Sequence, residues 1–202
     1  MKVDERPMAP AFDVLRAYLE ARAEFSAADV ETVRAAFVYK QLPAGAFLQR
    51  AGDVPRCAAF VASGCLRNYV IDAKGKEHIV QFAPETWWAA DAASLTSGAP
   101  SQYFIDAIED SDVLLLDPRS HETLIDKIPG YAASFRKGLQ RHAAARDERI
   151  VSSLSASAEE RYTQFLSTYP SIATRVPQRM LASYLGVSPE TISRIRGKRA
   201  RK

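Results

Sequence analysis

The chain has 202 residues, 47% of them hydrophobic and 25% charged, the composition of an ordinary globular protein with room for one large and one small domain. Two cysteines without a CxxC spacing exclude a disulfide framework, and no apolar run approaches the roughly 20 residues of a membrane span, so a cytoplasmic protein without a membrane partner is expected. The net charge of +3 is uneven: from Ser171 onward eight Lys and Arg oppose only Glu190, giving +7 and leaving −4 on the rest. A basic end on an acidic body points to a polyanionic partner.

In chain order, Phe12, Leu15, Leu19 and Ala23 share one face of a helix across Phe12–Phe25. Ser26 then caps a second helix, with Asp29 in the capping-box position and Val30, Val33 and Phe37 at helical spacing. From Tyr39 the period changes to two. Gly45, Gly52, Gly64 and Gly75 punctuate short runs: AFLQRAG, CAAFVASG, CLRNYVIDAKG, EHIVQFAP and QYFIDAIEDSDVLLLD. These read as strands of an all-β barrel or sandwich, with DAKGK as a hairpin turn. After Pro118 helical spacing returns with PRSHETLIDKI. A long helix follows, on which Tyr131, Phe135, Leu139, His142, Ala145 or Arg146, Ile150 and Leu154 advance by threes and fours. Its Ala, His and Arg centre suits a seam with a second copy, and packing on the chain's own core is the alternative. Ser157, with Glu160 three residues on, caps a further helix that ends at Pro170.

The segment VPQRMLASYLGVSPETISRIRGK has the grammar of a helix–turn–helix. Pro177 suits a first helical turn, Met180, Leu181 and Leu185 bury one side, and Ala182 is small where a second helix must cross. Gly186 makes the turn, Val187 plugs the space between helices, Ser188 caps the second helix, and Ile192 and Ile195 face back into the core. The opposite face offers Glu190, Thr191, Ser193, Arg194 and Lys198, side chains able to reach base edges and phosphates. An ordinary αα-hairpin is the plain alternative, and the charge gathered on the second helix argues against it.

A β-rich domain, a long helix and LGVSPETISRIR in that order resemble the Crp/Fnr family of bacterial transcription regulators, from about Tyr39 onward. The resemblance implies an α+β chain: an N-terminal β-roll, jelly-roll-like sensor domain with leading helices (1–128), a dimerisation helix (129–155) and a helix–turn–helix domain (156–202). It implies a homodimer on double-stranded DNA and no enzymatic activity. On that likeness Glu190 accepts from cytosine, Arg194 grips guanine, Ser193 matches the Fnr-like branch and Thr191 holds a phosphate, with Ser188, Lys198 and Arg199 completing the DNA-binding set. Pro189 stands where the catabolite-activator branch has a base-reading arginine, so a TGA-type half-site is expected. There is little room for a full wing, and RGKRARK is expected to supply phosphate contacts instead.

The sensor half departs from the family pattern. Trp87, Trp88, Ala89 and Ala90 lie where the glycine–glutamate of a cyclic-nucleotide cassette belongs, and Pro100, Ser101, Gln102 and Tyr103 lie near its arginine. No Arg or Lys falls between Lys76 and Arg119, so a cyclic phosphate lacks its counter-charge there unless Arg67, for instance, supplies one. Two cysteines cannot hold a four-thiolate cluster, and the scattered His78, His121 and His142 do not make a metal site. His78, the one histidine in the roll, leaves a haem ligand as a minor option beside a structural role. Trp87, Trp88, Gln102 and Tyr103 are the candidate contacts for an uncharged or apolar effector, if one exists. No cofactor and no metal are expected, and no catalytic triad, P-loop or carboxylate pair is present. The rival readings are a ligand-binding or interaction module whose basic tail meets a protein or RNA, and, further off, a metal-dependent β-barrel enzyme.

Overall fold

The structure is a computed structural model and describes residues 8–199, so Arg201, Lys202 and the first seven residues lie outside the account. Contacts divide it into two compact units. The first runs to Asn68 and resumes over Phe82–Leu139; the second joins Tyr69–Gln81 to the chain from Gln140 on.

In the first unit, α1 (Met8–Glu20) and α2 (Ala27–Ala36) lead into a roll of two sheets. The α1 helix stops five residues before Phe25, with the next helix set by its cap: the Ser26 hydroxyl accepts from Asp29 N at 3.1 Å and the Asp29 carboxylate accepts from Ser26 N at 3.0 Å. The strands are β1 (Val38–Leu42), β2 (Phe47–Gln49), β3 (Ala58–Ser63), β4 (Leu66–Ile71), β5 (Glu77–Ala83), β6 (Trp88–Ala89), β7 (Phe104–Ala107) and β8 (Ser111–Leu116). One sheet has the order β1-β8-β3-β6 and the other β2-β7-β4-β5. In β3, Phe60 and Ala62 join the helix-side core while the intervening Val61, also buried, has the opposite orientation on the pleat. Both faces are covered, which is why AAFVA reads as a continuous apolar run. The run QYFIDAIEDSDVLLLD becomes two strands in different sheets. Where it crosses over, Ile108 N donates to Cys65 O and the Asp110 carboxylate accepts from Ala44 N. Gly64 lies against this crossover with φ +84°, and a Cβ there would stand 2.3 Å from Ser111 Oγ.

The helix side is covered by α1, α2, α4 (Pro118–Lys127) and the start of α5 (Pro129–Ser155). Phe12, Leu15, Leu19, Val33, Leu124 and Tyr131 close this core over Phe60 and Leu114, with Tyr18 edge-on to Phe60 at 5.3 Å. The beginning of the long helix therefore serves its own subunit: Tyr131 is buried, Ser134 Oγ donates to Leu19 O, and Gly138 lies against the Tyr18 hydroxyl. Only beyond that does the apolar stripe emerge, with Leu139 58% exposed, Ile150 53%, Val151 62% and Leu154 83%.

The second unit holds the tip portion of the β4–β5 hairpin, Tyr69–Gln81, together with the rest of α5, α6 (Ala158–Thr168), α7 (Gln178–Leu185) and α8 (Pro189–Arg199). Ser157 caps α6 in the expected box with Glu160. Its core gathers Tyr162, Phe165, Tyr169, Ile172, Val176, Leu181, Leu185, Ile192 and Ile195. At the hairpin tip the Asp72 carboxylate accepts from Lys74 N, Lys76 N and the His78 ring, contacts that hold its pKa down to about 2, the His78 bond first among them. His78 thus has a turn-building partner.

His121 is half-buried at the margin of the first unit's core, its Nδ1 2.9 Å from the Tyr131 hydroxyl and its ring 4.4 Å from Phe135. Burial lowers its pKa. His142 on α5 is lowered to about 4, by burial first and then by Arg141. Above the unfolded value of about 6.5 both states hold these rings neutral. As pH falls below it, the unfolded chain takes up protons first, so stability is present at neutral pH and lost on acidification. Urea midpoints should fall between pH 7 and 5, and His121→Gln, which keeps a hydrogen bond to Tyr131 without titrating, should flatten that slope. An unchanged slope would contradict this account of His121.

Candidate nucleic-acid interface and sensor cassette

The geometry of the helix pair follows from local chemistry. The α7 helix ends on Gly186 at φ +66°, a left-handed conformation costly for a side chain, and Val187 N then donates to Ala182 O. Ala182, 1% exposed, lets the helices cross closely. The Ser188 hydroxyl accepts from Thr191 N at 3.3 Å and caps α8, while Gln178 Nε2 donates to Pro189 O at 2.6 Å and ties the two helix starts together. Ile192 and Ile195 are buried, which turns Glu190, Ser193, Arg194 and Lys198 outward.

On that exposed face Arg194 Nη2 donates to Thr191 Oγ1 at 3.3 Å. Glu190 has a lowered pKa, chiefly through its hydrogen bond with Ser188 and, to a lesser degree, through Arg194, so it stands as an ionised acceptor. A carboxylate and a guanidinium one turn apart on an outward helix face form a donor–acceptor set suited to base edges. Arg199, expected at a phosphate, reaches back to α6, where Nη1 donates to Thr163 Oγ1 at 2.8 Å. Arg196 likewise donates to Tyr162 Oη and Ala173 O. Arg196 is half-buried against that side, while Arg194, Lys198 and Arg199 are all exposed.

The cassette region contains a short helix, α3 (Ala92–Ser97), whose first position is already taken by a carboxylate. Asp91 caps it: one oxygen accepts from Ser94 N at 3.2 Å, and the other accepts from Ser94 Oγ and Ser101 Oγ at 2.7 Å each. Asp91, Ser94 and Ser101 are all buried. Burial by itself raises the Asp91 pKa, but the hydrogen bonds from Ser101 and Ser94 outweigh it and the net shift is downward, so a full negative charge sits there. Arg67 gives no spare cation: its Nε and Nη2 grip both oxygens of Asp106 at 2.7 and 2.9 Å, and both side chains are 8% exposed.

The four candidate effector contacts lie in different settings. Trp87 is buried. Trp88 packs at 5.5 Å from Phe60 and 6.1 Å from Phe37, on the helix-side core. Gln102 is exposed, and Tyr103 is half-buried with its carbonyl accepting from Gln49. Among the described residues no group of three or more His, Cys, Asp or Glu is placed to hold a metal, and no helix is long and apolar enough to cross a membrane. Asp91 was missed by the sequence reading, though an Asp three residues ahead of Ser94 is itself a cap signal. Arg149 and Ser183, which bind the hairpin, carry no signal in sequence.

Residues 39–127 match the cyclic nucleotide-binding domain family. Over 175 residues, spanning 79% of this chain and 67% of the relative, the chain is 27% identical to the fumarate and nitrate reduction regulatory protein of Vibrio cholerae. Among solved structures it is similar to the c-di-GMP responsive global regulator CLP of Xanthomonas campestris (TM-score 0.69, 14% identity, 87% of this chain and 92% of that one). It is also similar to FixK2 of Bradyrhizobium japonicum (TM-score 0.67, 19% identity, 80% and 83%) and to the catabolite activator protein of Thermus thermophilus (0.53, 21%, 88% and 84%).

Replacing Asp91 with Ala removes the α3 cap, worth about 0.5–2 kcal/mol, and strands two buried hydroxyls and an amide, at about 1–3 kcal/mol for an unsatisfied group. Urea unfolding followed by tryptophan fluorescence, which reports Trp87 and Trp88 of the first unit, should show a loss of about 2–4 kcal/mol, with Asp91→Asn losing less. A wild-type midpoint for Asp91→Ala would refute the internal role of this carboxylate. A β-roll that matches the cyclic nucleotide-binding domain, followed by a long helix and a pair of helices joined at a glycine turn, gives the chain the fold of the Crp/Fnr transcription regulators.

Proposed function

We propose that the chain is a sequence-specific DNA-binding transcription regulator of Crp/Fnr type, acting in the cytoplasm as a homodimer and not answering to cyclic AMP. Its working parts are a sensor roll over 1–128, a dimerising helix over 129–155 and a DNA-reading domain over 156–202. The observation that carries the reading is the sidedness of α8: Ile192 and Ile195 are buried while Glu190, Ser193 and Arg194 are exposed. In the major groove Glu190 accepts from cytosine N4, Arg194 donates to guanine O6 and N7, and Thr191, Ser188 and Lys198 meet phosphates. The exposed Ile150, Val151 and Leu154 supply the seam that pairs two readers on a two-fold site. Burying Asp91 opposite an incoming phosphodiester would set two negative charges against each other, so any effector is uncharged at that position.

Enrichment of bound duplexes from a random pool tests this. A palindromic site should emerge carrying two chains by sedimentation, and Leu154→Glu should lower that stoichiometry. Glu190→Ala and Arg194→Ala should each cost about 1–3 kcal/mol at the enriched site and relax its sequence preference. Lys198→Ala should weaken all duplexes alike and flatten the salt dependence. Enrichment of RNA over duplex DNA, or equal losses on cognate and random duplex for all three variants, would contradict the proposal.

A further inference from the structure

Within the second unit, the outer edge of β5 is bound by side chains from two helices. The Ser183 hydroxyl on α7 donates to Glu77 O at 2.8 Å and accepts from Ile79 N at 3.1 Å. Residues two apart in a strand present their backbone groups to the same edge, and β5 is the end strand of its sheet. One hydroxyl therefore replaces the missing neighbouring strand at this point, which also blunts an open edge. Beside it, Arg149 on α5 spreads its guanidinium over three carbonyls: Nη1 donates to Val80 O, and Nη2 donates to Ile79 O and Tyr184 O at 2.9 Å each.

The Tyr184 contact supplies a further partner at the end of α7. The last four carbonyls of a helix lack partners inside it. The Gly186 and Val187 amides take those of Ala182 and Ser183, and Arg149 takes that of Tyr184. A cation at a helix C-terminus also faces the negative end of the macrodipole. The guanidinium lies 4.0 Å from the centre of the Tyr184 ring as well. Polar contact, dipole and ring therefore all hold α7 to α5 and to the hairpin through one arginine.

We propose that Arg149 and Ser183 are positioning residues that fix the angle between the long helix and the DNA-reading pair, and so set the half-site spacing that the dimer accepts. This rests on the DNA-binding reading above. A two-fold dimer places its recognition helices at a separation set by where each pair is held on the dimer helix, and duplex DNA offers successive major grooves about 34–36 Å apart. A pair held by five hydrogen bonds and a ring contact has one separation, while a pair joined only by its linker samples many and tolerates wrong spacings.

The test compares wild type with Arg149→Met, Arg149→Lys and Ser183→Ala in two measurements. Without DNA, amide exchange at Ile79 should quicken in Ser183→Ala and Arg149→Met. With DNA, affinity is measured on palindromes whose half-sites are moved apart or together by one and two base pairs, and on a single half-site. Wild type should prefer one spacing by at least about tenfold, which is about 1.4 kcal/mol. Ser183→Ala and Arg149→Met should lose most of that preference with half-site affinity unchanged, and Arg149→Lys should restore part of it. Wild-type spacing preference in both disruptive variants, or unchanged exchange at Ile79, would overturn the proposal. Quickened exchange in a protein that binds no palindrome would overturn the DNA-binding reading and reduce the clamp to a packing contact. If Arg149→Met fails to fold, Ser183→Ala alone carries both measurements.

Discussion

The charge on Asp91 is the constraint around which the region of α3 in the roll is arranged. A short helix start offers unpaired amides and a positive end, and something must satisfy them. Here a side chain of the same chain does so, with Ser94 and Ser101 donating to its two oxygens. The second buried charge in the roll, Arg67, is likewise answered from within by Asp106. Breaking a buried pair by removing one partner typically costs 3–5 kcal/mol, because a lone charge is left out of water. An anionic ligand at α3 would have to displace Asp91 or share the site with it, and both are costly. The roll keeps the shape of a cyclic nucleotide-binding domain while Asp91 and Arg67 are committed to partners within it.

The helical elements depend on a different balance, between burial and exposure along single helices. On α8 two isoleucines anchor the helix and thereby decide which polar side chains face outward. On α5 the division is lengthwise. Tyr131, Ser134 and Gly138 are used by the first unit, and the exposed apolar residues come later, at Ile150, Val151 and Leu154. Apolar side chains exposed at three- and four-residue spacing mark a face that gains from a partner. Arg149, between the exposed Leu139 and Ile150, binds α7 and the hairpin. The start of α5 thus serves the first unit's core, and its later residues serve the second unit.

Much of this was legible before the structure because it rests on short-range chemistry. The Ser26 and Ser157 caps, the Gly186 turn, the buried Ile192 and Ile195 and the turn at Gly75 each follow from a few neighbouring residues. What was not legible involves partners far apart in the chain. The periodic stripe from Tyr131 to Leu154 gives no sign of where own-core packing ends, since Tyr131 owes its burial to α1 and Leu124. Arg199 donates to Thr163, 36 residues away, a contact that its neighbours in sequence do not announce. Arg67 reads as a candidate counter-charge until Asp106 is placed beside it. The same holds for the indole of Trp88, whose packing against Phe37 and Phe60 depends on the fold.

The account stands or falls on whether the cassette accepts a cyclic phosphate. Calorimetric titration of the full chain with cyclic AMP at micromolar protein measures this directly. With Asp91 ionised at the start of α3 and Arg67 bound to Asp106, the heats should equal those of dilution up to millimolar nucleotide. A saturable micromolar signal with one nucleotide per subunit would show that the chain supplies a counter-charge that these pairings leave no room for, and would contradict the account.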